Sequence, residues 1–252
     1  MQSIWKIFKL IYRTAQLKLG NINSDQTADY NIAVVSYDDY NSKSIWQGAK
    51  GLWEKLLIED GQSILDLACG TGFFTIPLAQ KVKQDGKVIA VDLSSGMLQC
   101  NREKAASQNL SNITFIQSDV LSFLAEIPAH SVDGVVCAWR ICYMDHGKLS
   151  QELARVIKPG GFLGLIENRA STLKDLSNLF AKVMMQYPEA MVKNFDLHFP
   201  KDKHHLIQMF CKHNFEVVDA WDGEVTFPCK NGNEVMEYVI KSGNFSGFLN
   251  AT

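Results

Sequence analysis

The chain has 252 residues, 46% of them hydrophobic and 10% aromatic, with a formal net charge of −2. That is enough apolar material to bury the core of one large domain or two small ones, and it excludes a disordered chain. The near-neutral charge excludes the whole protein as an electrostatic partner of nucleic acid.

The six cysteines (Cys69, Cys100, Cys137, Cys142, Cys211 and Cys229) form no CxxC pair. They fit neither a disulfide framework nor zinc spacing, so the expectation is reduced, buried thiols in a cytoplasmic protein. No run of about 18 uncharged apolar residues is present to span a membrane.

The first expected element is a helix over "IWKIFKLIYRTAQLKL", residues 4–19. Lys6, Lys9 and Arg13 share one face, while Ile4, Trp5, Ile7, Phe8, Ile11 and Tyr12 occupy much of the rest. The first acid is Asp25, and the lysines interrupt the apolar run too often for a signal peptide. Two uses fit such a helix. It packs on its own domain or a second subunit, giving a homodimer, or it lies on an anionic membrane surface, peripheral to the bilayer.

The polar stretch "GNINSDQTADYN", residues 20–31, reads as a linker, and "SIWQGAKGLWEKLL" has helical spacing. Residues 1–58 are thus read as N-terminal helices and a lid segment, and residues 59–252 as the main domain. From Gln62 short apolar runs alternate with helical ones. Strands are expected at Ser63–Leu67, Lys87–Asp92, Ile113–Gln117, Val132–Ala138 and Gly161–Glu167. Helices are expected at Thr75–Val82, Ser95–Gln108, Val120–Ala125 and Gly147–Ile157. Mostly apolar strands separated by helices point to an α/β fold with a Rossmann-like, doubly wound and mostly parallel sheet.

After Glu167 the alternation stops. Residues 168–210 read as a helical insertion. Phe215–Trp221 and Glu224–Pro228 read as an antiparallel pair around the Asp222–Gly223 turn, followed by a helix at Asn233–Ser242.

"DLACGTG", residues 66–72, is the first strand-to-helix turn. Gly70 and Gly72 lack a Cβ, so the backbone turns tightly and approaches a ligand closely. The amides of the next helix point at that ligand. The dinucleotide fingerprint needs a third glycine where this chain has Thr75. Asp92 ends the second strand, where an acid accepts hydrogen bonds from ribose hydroxyls. A carboxylate at Asp66 repels a pyrophosphate and suits an ammonium-bearing ligand. Taken singly, Asp92 also reads as a helix cap and the glycines as a plain turn.

Together these residues resemble the class I S-adenosylmethionine-dependent methyltransferases. Asp66, Cys69, Gly70, Thr71 and Gly72 match that family's D-x-x-x-G-x-G motif. "VIAVDLSSGML" is similar to its second motif, with Met97 where the family packs a side chain on the adenine. "ITFIQSDVLSF" is similar to its third, with Asp119 placed to accept from the adenine amino group and Val120 to donate its amide. "LARVIKPGGFLGLIE", with its turn at Lys158–Gly161, is similar to the stretch running into the fifth strand.

The resemblance covers roughly residues 60–167. It implies S-adenosyl-L-methionine as cofactor, with further contacts at Ala68, Leu93, Ser118 and Ala138. It also implies a small-molecule acceptor, no metal, and a substrate cover at about 168–210. "GKVIAVDLSSGMLQCNREKA", "VVCAWRICYMD" and "YDDYN" are similar to segments of the ubiquinone and menaquinone C-methyltransferases. The chain departs from them in having "AWRICYM" where they have "GLRN". The ending "MEYVIKSGNFSGF" is similar to methyltransferases acting on carrier-bound carboxylates. Acceptors with O, N or C nucleophiles, whether quinone-like, aromatic or carboxylate, stay open.

The implied reaction is an in-line displacement that needs proximity and at most one base. Asp145, His146, Tyr37 and Tyr40 are base candidates, and Arg140 is a candidate to hold an anion or phenolate. Each has a structural alternative. Asp145 suits the cap of the helix near Gly147, His146 a surface or capping position, and the tyrosines packing. His198, His204 and His205 lie in "HFPKDKHH", which reads as a solvated basic loop rather than a metal site. Phe180, Met184, Met185, Tyr187, Met191 and Phe195 line an apolar acceptor pocket or form ordinary core. The competing readings are a nicotinamide-dependent oxidoreductase, a cofactor-binding protein that transfers no methyl, and a nucleic-acid methyltransferase. The first is opposed by Thr75 and Asp66. The last is opposed by the missing NPPY-type tetrad and basic stripe.

Overall fold

The structure, a computed structural model, describes residues 2–194, 197–243 and 251, with the backbone alone at 2–4 and 42–45. Phe195 lies outside the described residues.

Helix α1 (Gln2–Leu19) docks on its own chain. Leu10 and Leu17 meet Phe180, Met184, Ala190 and Met191, and Arg13 Nε donates to the Met191 carbonyl at 2.8 Å. Helix α2 (Gln26–Lys55) begins earlier than the linker reading allows. The Asp25 carboxylate accepts from the amides of Thr27 and Ala28, and that cap turns 26–31 into the first turns of a 30-residue helix.

The alternating region follows as β1 (Ser63–Leu67), α3 (Thr75–Val82), β2 (Lys87–Asp92), α4 (Ser95–Ser107), β3 (Ile113–Gln117), α5 (Val120–Glu126), β4 (Val132–Ala138), α6 (His146–Val156) and β5 (Ile157–Ile166). All four strand pairings are parallel, in the order β3-β2-β1-β4-β5. The chain reverses direction across the sheet between β1 and β4, and ligands of such sheets lie beyond the strand ends at that crevice.

Strand residues alternate between two cores. Leu65, Leu67, Val135 and Cys137 face α5 and α6. Ile64, Val88 and Val136 face α3 and the C-terminal part of α2, through Ala49 and Leu52. Leu65, Leu67 and Val135 are fully buried, and each such side chain stabilises the fold by about 1.5–3 kcal/mol.

β5 is longer than expected. The Lys158–Gly161 turn survives inside it as a bulge, because Val132 pairs with Ile157 while Gly134 pairs with Phe162.

Beyond β5 lie α7 (Lys174–Gln186), α8 (Lys203–Cys211) and α9 (Gly232–Lys241). The expected antiparallel strands at Phe215–Trp221 and Glu224–Pro228 are not formed. These residues run along α2 instead. Trp221 lies against Gly51 and Val225 against Gly48, so glycines on the helix accept the bulky side chains that suggested strands. The cover segment also differs. Met184 and Met191 are buried in the small core with α1 rather than lining a cavity. Cys69, Cys137 and Cys142 are buried as expected, but Cys211 is exposed.

Gly134 lies on the β4 face that the Phe162 ring covers, and a Cβ built there falls 2.2 Å from the ring. Gly134→Ala is expected to destabilise the fold by about 1–3 kcal/mol through overpacking. Urea unfolding reads this directly, and an unchanged midpoint at unchanged slope refutes it.

Candidate functional site

The turn between β1 and α3 bends through three left-handed residues, Ala68 (φ 54°), Gly70 (φ 52°) and Gly72 (φ 94°). The two glycines serve different needs. A Cβ on Gly72 falls 2.2 Å from Asn101 Oδ1, so packing forbids it. A Cβ on Gly70 meets nothing within 4 Å, so that side of the turn faces open space.

Asp92 holds the turn in place. Its Oδ2 accepts the Gly70 amide at 2.9 Å, and its Oδ1 accepts the Ser94 amide at 2.8 Å. Each carboxylate oxygen has a second lone pair for a ligand hydroxyl.

Asp66 sits beneath the turn, 3% exposed. It accepts from Thr75 Oγ1 at 2.5 Å, and Asn101 Nδ2 donates to that hydroxyl at 2.9 Å. Burial raises the Asp66 pKa to about 7, against the Thr75 hydrogen bond.

A cavity of about 100 Å³ lies at the ends of β1, β2 and β4. Six of the expected cofactor residues line it: Ala68, Asp92, Leu93, Ser118, Asp119 and Val120. Asp119 also caps α5, accepting from the Ser122 amide at 2.9 Å. Asp66, Cys69, Gly70, Thr71, Gly72, Met97 and Ala138 are not among its walls. Met97 is 2% exposed and packed in the core. Thr71 donates to Asp38 of α2 at 2.6 Å.

Of the four catalytic candidates, Arg140 lines the cavity. Its guanidinium lies 5.0 Å from the Tyr30 ring centroid and 4.2 Å from that of Tyr143. Nη1 is buried and makes no hydrogen bond. Burial disfavours the charge of Arg140, but Tyr30, Tyr143 and Asp92 outweigh it and raise the pKa. The other three lie elsewhere. Asp145 caps α6 and accepts from the Lys148 amide at 3.1 Å. His146 Nε2 sits 3.0 Å from the Ile141 carbonyl, with its ring against His198. Tyr40 donates to Glu237 of α9 at 2.7 Å. Tyr37, the fifth candidate, has its pKa pushed up by burial. A neutral phenol of that kind donates a proton more readily than it accepts one.

The sequence reading did not single out Gln26, Tyr30, Tyr143 or Met144. Gln26, Tyr143 and Met144 line the cavity, and Tyr30 stacks on Arg140. Tyr30 and Tyr37 are seven apart on α2 with rings 6.3 Å apart, a spacing that marks one helix face.

Glu167, at the end of β5, is also new. It accepts the amides of Cys142 at 3.0 Å and Asn168 at 2.7 Å, and so fixes the loop that carries Arg140. Burial raises its pKa to about 7.

Among the described residues no group of three or more His, Cys, Asp or Glu is placed to hold a metal. No helix there is long and apolar enough to cross a membrane.

Residues 64–161 match a protein-family model described as a methyltransferase domain. The demethylmenaquinone methyltransferase of Shouchella clausii (strain KSM-K16) is 28% identical over 180 residues, covering 71% of this chain and 68% of that one. That of Geobacillus stearothermophilus is 28% identical over 152 residues, covering 58% and 64%. The chain thus spans about two thirds of the length of these relatives. Two solved structures share the fold. A chain from the complex of the Haloferax volcanii Trm112 methyltransferase activator has a TM-score of 0.60 at 18% identity, covering 90% of this chain and 95% of that one. A Bacillus halodurans C-125 protein has a TM-score of 0.53 at 21% identity, covering 68% and 69%.

The raised pKa of Glu167 sets a pH dependence. The folded chain keeps a proton that the unfolded chain releases above its ordinary 4.5. This stability is complete below about 4.5 and is lost as pH rises through about 7. The Tm of the wild type is expected to fall more steeply across that window than that of Glu167→Gln. The variant keeps a smaller slope from Asp66, and equal slopes in the two proteins exclude the assignment.

Proposed function

We propose, on the premise that this chain is a class I S-adenosylmethionine-dependent methyltransferase, that its acceptor is a small aromatic or enolic molecule of the quinol type. The acceptor binds as an oxyanion on Arg140. One observation carries this reading: a guanidinium clamped between Tyr30 and Tyr143, with a buried, unpaired Nη1, shares a cavity with Asp92. A buried donor without a partner is costly, and an anionic oxygen satisfies it. The name carried by the relatives in Shouchella clausii and Geobacillus stearothermophilus agrees with an acceptor of this class.

S-adenosylmethionine supplies a methyl group made electrophilic by its sulfonium. The residues present suit it. Asp92 has acceptor capacity for ribose hydroxyls, Leu93 and Val120 offer apolar walls, and the Asp119 carboxylate on the same cavity offers an acceptor to an adenine amino group. The open side of Gly70 leaves room for the ligand against the backbone. The cavity is smaller than the roughly 300 Å³ such a ligand needs. Gln26, which lines the cavity at the start of α2, is the side chain placed to give way on binding.

The chain's own part in the reaction is alignment and charge. A cation beside a phenol or enol lowers its pKa, so Arg140 favours the reactive anion without a dedicated base. Burial raises the pKa of Tyr30 and Tyr143. Both hydroxyls therefore stay protonated, hydrogen-bonded to each other beside the site of that anion. Asp145 and His146 are engaged by their own helix and loop, so neither is assigned the proton.

Asp92→Ala is expected to weaken S-adenosylmethionine binding roughly ten-fold or more by calorimetry, because a hydrogen bond to a charged group contributes about 1.5–3 kcal/mol. Arg140→Lys keeps a charge but loses the planar fork. It is expected to lower kcat/KM for a hydroquinone acceptor by roughly ten-fold or more while leaving cofactor affinity near the wild-type value. Formation of S-adenosylhomocysteine with a series of hydroquinones reads this out. Full activity of Arg140→Leu overturns the acceptor reading, and loss of adenosyl-ligand binding in the wild type overturns the cofactor assignment.

A further inference from the structure

Helix α1 has two apolar faces, and α7 accounts for one. Leu10, Thr14 and Leu17 turn inward, and Leu17 is 1% exposed in the small core. On the opposite side Trp5 (66% exposed), Phe8 (59%), Ile11 (59%) and Tyr12 (66%) stand in solvent, with Leu19 beyond them. At 100° per residue these five span about a third of the helix circumference, facing away from the protein. An exposed patch of this size and aromatic content marks an interaction surface.

Its charge decides among partners. Residues 1–24 contain Lys6, Lys9, Arg13 and Lys18 and no acid, in a chain whose net charge is −2. Arg13 is used inward on Met191 and Lys18 already has a partner, while Lys6 and Lys9 are exposed. On the helical projection Lys9 borders the apolar arc, with Lys6 next to it. A second copy of this chain would bring that positive rim against an identical one. An anionic surface neutralises it.

We infer that the outer face of α1 docks this protein onto an anionic phospholipid bilayer. The aromatic arc enters the headgroup boundary and the flanking lysines meet lipid phosphates. α1 packs directly on α7, so docking holds the segment after β5 one helix layer behind the bilayer surface. That is the side from which an apolar acceptor dissolved in lipid would come. The docking itself does not depend on the acceptor assigned above.

The test is flotation of the full chain with phosphatidylcholine vesicles, with and without phosphatidylglycerol, at low and high salt. The chain is expected to float with the anionic vesicles, to float much less with the neutral ones, and to be released by salt. Phe8→Ser with Ile11→Ser, and separately Lys9→Glu, are expected to weaken binding by roughly ten-fold or more. These outward substitutions leave the inner face intact, so unchanged circular dichroism and cofactor affinity serve as fold controls. Absence of flotation with anionic vesicles at low salt overturns the inference, as does equal flotation of both variants. A concentration-dependent dimer that the same variants abolish also overturns it, and assigns the face to a second copy.

Discussion

A single carboxylate couples the two turns on which the site is built. Asp92 accepts the Gly70 amide with one oxygen and the Ser94 amide with the other. The first amide belongs to the turn after β1, the second to the turn after β2. These strands are parallel neighbours, and the Cys69 amide carries their ladder into the turn by donating to the Val91 carbonyl at 3.0 Å. The Asp92 bridge adds to that tie and leaves its remaining lone pairs at the edge of the cavity. The turn also needs Gly72 to clear Asn101, and Asn101 in turn holds the Thr75 hydroxyl that meets Asp66. Backbone shape and buried polar network are therefore one unit.

Helix α2 crosses the same ends of the sheet. Asn31 Oδ1 accepts from Ser94 Oγ at 2.7 Å, and Asp38 accepts from Thr71 at 2.6 Å and pairs with Lys104. These contacts hold Tyr30 against Arg140. The guanidinium loses water but keeps its charge, because two aromatic faces and a nearby acid replace part of its hydration. Glu167 fixes the loop beneath it by accepting the Cys142 amide. A buried guanidinium is thus held by α2, the end of β4 and the end of β5, elements far apart in sequence.

Much of this was legible in the residues. β1 to β4 begin and end where the apolar runs do, because buried parallel strands need continuous hydrophobic stretches bounded by polar turns. The glycine turn after β1 and the acid that ends β2 were readable from spacing, since a turn between a strand and a helix has few backbone solutions. The late strands were not readable. Phe215–Trp221 and Glu224–Pro228 carry the β-branched and aromatic residues of strands, yet Gly48 and Gly51 of α2 offer a groove that takes Trp221 and Val225. Propensity yields here to the packing of Trp221 and Val225 on α2. Tyr40 and Asp145 illustrate the same limit for polar side chains. Each finds a local partner, Glu237 for one and a helix amide for the other.

The sequence by itself determined the parallel α/β sheet, the adenosyl-type turn and the basic amphipathic character of α1. These depend on periodicity and on backbone conformations that few residues tolerate. Only the tertiary structure decided which side chains share the cavity, that Arg140 is held between Tyr30 and Tyr143, and that the aromatic face of α1 points outward. Those facts depend on distances between segments more than a hundred residues apart. A helical pattern states which residues share a face, but not what that face meets, because packing partners are chosen by the whole chain.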